Sequence, residues 1–176
     1  MSMFPIATTG TIPVSTFGQV FFSGIPQTFT HLQLRVYGRT TSAVANSQTA
    51  GLQLSGSTSY DGHGVGGNGT AVFATRQGFF NAWFDQPYIP GASSTANVFG
   101  IQIIDILDYT NTNKNKVIRG LGGYDANGSG VVSINSGFSI NTAAITTITV
   151  NVSGAFFAAG SRVDLYGIST SNTTGA

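Results

Sequence analysis

From His31 to Tyr37 the chain reads His-Leu-Gln-Leu-Arg-Val-Tyr, so Leu32, Leu34 and Val36 alternate with His31, Gln33, Arg35 and Tyr37. Successive side chains of a strand point to opposite faces, and this two-residue period is that of a strand with one buried face. Comparable pieces recur at short intervals. Ser15 to Phe22, Gly51 to Ser55, Val72 with Phe73, Ala96 to Leu107, Val117 with Ile118, Val131 to Ile134, Ala144 to Val152 and Val163 to Ile168 all read as strands. Clusters of Gly, Asn, Pro and Ser separate them. Gly24-Ile25-Pro26 is a connector, Asp61 to Gly69 a flexible glycine-rich loop, and Asp108 to Lys116 a turn. Tyr124 to Gly130 is a turn built on Asn127-Gly128, a pair that accepts positive φ cheaply.

Strands so spaced predict an all-β, single-domain β-sandwich, jelly-roll-like, with roughly eight to ten strands. A closed barrel is the alternative, because periodicity carries neither strand order nor closure. Residues 1–14 read as an amino-terminal arm, 15–168 as the sandwich domain and 169–176 as a flexible carboxyl-terminal tail.

Charge is scarce. Seven Lys plus Arg and six Asp, with no Glu, make 7% of the chain, against about 25% in ordinary domains. Thirteen Phe and six Tyr nevertheless supply a folded core. A net charge of +1 without a Lys/Arg cluster lacks the basic stripe of a nucleic-acid binder. No apolar run is long enough to span a membrane, so no membrane insertion is expected. Met1 to Gln19 lacks the basic and apolar regions of a signal peptide. The absence of Cys removes disulfides, thiolate metal sites and a Cys nucleophile.

Catalytic chemistry finds little to work with. Asp105 and Asp108, the closest carboxylate pair, are three apart and would point to opposite faces of a strand. Asp61 and His63 share the glycine-rich loop, yet two ligands do not make a zinc site. Gly62 to Gly66 mimics a dinucleotide fingerprint without the helix that should follow, and no phosphate loop occurs. His31 falls on the phase opposite the leucines. Sequons at Asn68, Asn127, Asn151 and Asn172 are expected by chance in a chain so rich in Asn, Ser and Thr. No enzyme activity, cofactor or metal is expected.

Aromatic residues come in adjacent pairs: Phe21-Phe22, Phe79-Phe80, Trp83-Phe84 and Phe156-Phe157. In a strand such neighbours point to opposite faces, so one ring enters the core and the other meets a covering loop or another chain. Phe22, Phe80, Trp83, Phe84 and Phe157 are therefore candidate interface residues, and Tyr88 and Arg162 complete the candidate interface. A surface of hydroxyls and amides packs against identical neighbours with little charge to desolvate. An assembly role is favoured over catalysis.

Ile103 to Lys116 (Ile-Ile-Asp-Ile-Leu-Asp-Tyr-Thr-Asn-Thr-Asn-Lys-Asn-Lys), Ser136-Gly137, Ala144 to Val150 and the closing Gly160-Ser161-Arg162-Val163-Asp164-Leu165-Tyr166-Gly167-Ile168 form an ordered set with Phe22 to Leu34. Together they resemble small virion proteins of tailed bacteriophages. The resemblance implies a non-enzymatic β-structured particle component. Within it, Gly160 would make the turn into the last strand, Arg162 would anchor a carboxylate or carbonyl, and Leu165 and Ile168 would pack. Asp108, Tyr109, Asn111 and Lys114 would organise a crossing loop. Asp164 stands where the resemblance leads one to expect an apolar or neutral side chain.

The implied role is a capsid decoration or cement protein on the outer surface of the virion capsid. Its partners would be the major capsid protein, copies of itself in a symmetric oligomer such as a trimer, or both. The alternative is a tail fibre or spike component, in contact with tail proteins or with host surface glycans through Trp83 or Tyr88.

Overall fold

A computed structural model describes residues 2–43, 48–78, 84–152 and 154–170. The described residues form twelve strands: β1 (Ser2–Thr8), β2 (Gln19–Phe22), β3 (His31–Gly38), β4 (Gln48–Leu54), β5 (Tyr60–Gly67), β6 (Val72–Gln77), β7 (Phe84–Ile89), β8 (Gly100–Leu107), β9 (Lys116–Asp125), β10 (Gly130–Ser139), β11 (Ile148–Val152) and β12 (Arg162–Ser169). They build two antiparallel sheets, an eight-stranded one ordered β1-β12-β3-β8-β9-β10-β5-β6 and a four-stranded one ordered β2-β11-β4-β7. The fold is an all-β sandwich in one domain.

Alternation places the core between the sheets. In β3 the leucines and Val36 are buried while His31, Gln33, Arg35 and Tyr37 are not. From the large sheet, Leu32, Leu34, Ile104, Ile106, Val163 and Leu165 meet Val20, Phe22, Leu52, Leu54, Phe84, Ile148 and Val150 of the small one. Each such side chain contributes about 1.5–3 kcal/mol by leaving water.

Local chemistry sets the turns. Asn127 and Gly128 both have positive φ, 57° and 98°, between β9 and β10, as a type I′ hairpin requires. Gly160, with φ of 92°, turns the chain into β12. Arg39 ties down the segment after β7 by donating to four carbonyl oxygens, those of Ala92, Ser94, Thr95 and Val98. One planar guanidinium replaces the backbone partners that an irregular segment lacks.

Three expectations change, the first being the number of strands, twelve among the described residues against the roughly eight to ten expected. Ser2–Thr8, read as part of an arm, forms edge strand β1 and pairs with β12 from Ser2↔Ser169 to Thr8↔Asp164. The glycine-rich stretch read as a flexible loop is largely strand β5, paired with β10 and β6. Gly62, Gly64 and Gly66 occupy the inward phase, and at the first and last of them an aromatic ring lies directly on backbone. A Cβ on Gly62 would sit 2.6 Å from Phe84 Cε2, and one on Gly66 would sit 2.4 Å from Phe73 Cζ. Glycine serves here for close approach, not for mobility.

Candidate functional site

The carboxylates hold the structure together. Asp105 accepts hydrogen bonds from Gln33 Nε2 and Arg119, both at 2.9 Å. Asp61 accepts from the backbone N–H of Gly62 and lies 3.6 Å from Arg76. Asp164 is buried, accepts from the Thr8 hydroxyl, and pairs with Arg162 Nε at 2.8 Å. Those partners explain how a carboxylate occupies a packed strand position. Among the described residues, no group of three or more His or Asp side chains could hold a metal ion.

The crossing loop is organised by the residues expected there. Tyr109 is buried and donates its hydroxyl to the Pro26 carbonyl, and Asn111 Oδ1 accepts from the N–H of Asn113. Asp108 sits at φ 47°, accepts from Lys114, and donates its backbone N–H to His31 Nδ1 at 2.9 Å. The Lys114 hydrogen bond holds the Asp108 carboxyl below its ordinary value. A carboxyl with a lowered native pKa contributes stability that is present above the unfolded value, near pH 4, and lost as pH falls through the native value. Asp108→Asn should therefore lower stability slightly at neutral pH, where the wild-type pair is formed, and flatten the acid limb of a stability–pH curve below about pH 4, so that the two proteins converge in acid. An unaltered acid limb would show that the Asp108–Lys114 pair does not form in solution.

The surface that stands out is the outer face of the large sheet. Cross-strand register aligns Ile103, Leu121, Ile134, Val65 and Ala74 in one row across β8, β9, β10, β5 and β6. The neighbouring row runs Tyr37, Ile101, Gly123, Val132, Gly67 and Val72. Ile101 is 52% exposed, Leu121 50% and Val132 60%. Between these side chains, Gly67 and Gly123 leave a groove of about 710 Å³. A polar row of Gln33, Asp105, Arg119, Ser136, His63 and Arg76 borders the apolar ones. On the small sheet, by contrast, Thr149 lies between Phe21 and Gln53 on the outward phase, so that face is largely polar. Contiguous exposed apolar rows are the mark of an interaction surface.

The five candidate interface residues that are described fall outside these rows. Phe22, Phe84 and Phe157 are core residues, and it is Phe21 and Phe156, their neighbours in two of those pairs, that face out. Tyr88 is half-buried, edge-on to Phe73 at 5.8 Å between centroids. Arg162 is exposed and engaged with Asp164. Phe80 and Trp83 lie outside the described residues. The only trace of the apolar face in the sequence is Ala96 to Leu107, whose run is apolar in both phases and so does not say which side faces out. Gln102 takes the inward phase, donating to the Pro87 carbonyl, which leaves Ile101 and Ile103 outside.

No family model, curated protein or solved structure matches the chain.

Proposed function

We propose that this protein is a structural component of a bacteriophage virion, a capsid decoration or cement protein that binds the shell through the outer face of its large sheet. The exposed apolar rows of β8, β9, β10 and β5 carry the reading. A protein that leaves Ile101, Leu121, Ile134 and Val132 in water in contiguous rows on one sheet, while the other exposes Phe21 among polar neighbours, is built to cover the first sheet with a partner. The resemblance of the Ile103 to Lys116 and Gly160 to Ile168 segments supplies the kind of partner, a virion shell protein.

The strand order supports a jelly roll within the sandwich. Without the β5–β6 and β9–β10 hairpins, eight strands remain, in sheets ordered β1-β12-β3-β8 and β2-β11-β4-β7. The chain passes back and forth between these sheets, the pattern of two interleaved Greek keys, an architecture frequent in capsid domains. The two hairpins then widen one sheet and carry most of the apolar face.

The test uses purified shells lacking this protein. Added protein should bind them and raise their resistance to heat. The double variant Leu121→Lys, Ile134→Lys should bind at least tenfold more weakly, since two ammonium groups would be desolvated. Its own stability should fall by no more than about 2 kcal/mol, since both sites are surface positions although the two ammonium groups oppose each other across β9 and β10. Wild-type protein that leaves shells unbound and unchanged would overturn the reading.

A second reading, a tail fibre or spike component that holds host glycans, rests on one feature. Tyr88, Phe73, Asn68, Thr70 and Ser129 line a groove of about 450 Å³ in which rings and polar groups converge. Saturable glycan binding lost on Tyr88→Ala, with no shell binding, would favour it.

A further inference from the structure

The two sheets present four edges, β1 and β6 on the large one, β2 and β7 on the small one. An edge strand exposes unpaired N–H and C=O groups that another strand can use, and proteins blunt such edges with proline, bulges or short length. Three of the edges here are blunted. β1 contains Pro5, and its register with β12 shifts between Pro5 and Ala7. β7 contains Pro87, and its ladder with β4 shifts between Thr49 and Gly51. β2 has only four residues.

β6 has none of these devices. It holds six residues without proline and keeps unbroken register with β5 from Gly62↔Gln77 to Gly67↔Val72. Among the described residues, β5 is its only strand partner. Both apolar rows of the outer face run up to it and stop there, at Ala74 and at Val72, which is 83% exposed. A regular edge of this kind, with Val72 and Ala74 on its outward phase and its one charge, Arg76, beside Asp61, is a template for a further strand.

We propose that β6 pairs antiparallel with β6 of a second copy of this chain, across a two-fold axis normal to the sheet and passing at Ala74. The two eight-stranded sheets then become one. Such an axis maps outer face onto outer face, so outward residues oppose outward residues. Centred on Ala74, Val72 opposes Arg76 and Phe73 opposes Thr75, and the row ending at Ala74 continues into the same row of the partner. Centred on Arg76, two like charges would face each other, which disfavours that register. Each Arg76 lies 3.6 Å from its own Asp61, so the pairing brings no isolated cation into the joint. The symmetric oligomer expected as a trimer is, at this edge, a two-fold pair. The inference does not depend on the virion reading, since a dimer that ignores shells satisfies one and refutes the other.

The experiment is sedimentation equilibrium on the full chain, with charge-swapped variants at an exposed, outward position that leaves the fold intact. Wild-type protein should be dimeric at about 100 μM. Ala74→Lys and Ala74→Glu should each dimerise at least tenfold more weakly, because like charges meet on the axis. Mixed one to one, the two variants should recover the dimer. Circular dichroism and melting confirm that each variant is folded. A wild-type monomer at that concentration, variants as dimeric as wild type, or a mixture that stays monomeric would each overturn the proposal.

Discussion

Gly137→Ala should destabilise the protein by about 3 kcal/mol or more, although it adds a single methyl group. A Cβ at this position would stand 2.2 Å from the Asp61 carbonyl oxygen, 2.5 Å from Phe84 Cε2 and 2.7 Å from Gly62 Cα. Two of those atoms belong to the backbone of the adjacent strand. The third is on a ring that is buried between the sheets and has nowhere to turn. Relief therefore requires β10 and β5 to separate, at the expense of their ladder. Gly67→Ala is the control in the same sheet, since its Cβ would meet only the Ala71 carbonyl at an ordinary 3.7 Å. Denaturant midpoints for the two variants give the comparison. Equal midpoints would mean that the Phe84 ring does not rest on the glycine backbone.

Lys116 is the second site where a large loss is expected. It occupies the inward phase of β9 and is fully buried, as Lys almost never is. Its ammonium donates to the carbonyl oxygens of Asn111, Lys114 and Thr142, tying the crossing loop to the segment after β10. Burial, and then the neighbouring Lys114 charge, push its pKa below the ordinary lysine value. Lys116→Met keeps most of the stem but supplies no donors, and should cost about 2 kcal/mol. Lys116→Ala also opens a cavity and should cost about 3–4 kcal/mol. Thermal melts should rank wild type above Met and Met above Ala. A methionine variant as stable as wild type would show that the three carbonyls are satisfied by water without cost.

How much of this was legible depended on whether one phase of a strand was clearly apolar. β3 and β11 alternate cleanly, and their buried residues were readable from composition and spacing alone. β5 was not, because its inward phase is glycine. Asp61, His63 and Val65 do alternate with Gly62, Gly64 and Gly66, but glycine reads as flexibility when only its own entropy is considered. The rings that occupy the space, Phe73 and Phe84, lie up to twenty-two residues away, and no local pattern announces them.

The outer face failed to show for the opposite reason. In β8 both phases are apolar, so a run that signals burial on two sides does not say that one side faces solvent. The aromatic pairs were half legible. That one ring of the Phe21-Phe22 pair enters the core follows from strand geometry. Which one does so depends on register, as when Phe22 shares its phase with buried Val20 and Phe21 with exposed Gln19.

The order of strands also dictates an order of events during synthesis. β12 lies between β1 and β3, and β11 between β2 and β4. Each sheet is thus sealed from within by one of the last of these twelve strands to leave the ribosome. Until then β1 and β2 have no neighbour to pair with, and the interval is long, since Ser2 waits for Ser169. Only the β5–β6 and β8–β9–β10 meander can form from local contacts. The part of the molecule that bears the apolar rows can therefore assemble first, well before the sandwich closes behind it.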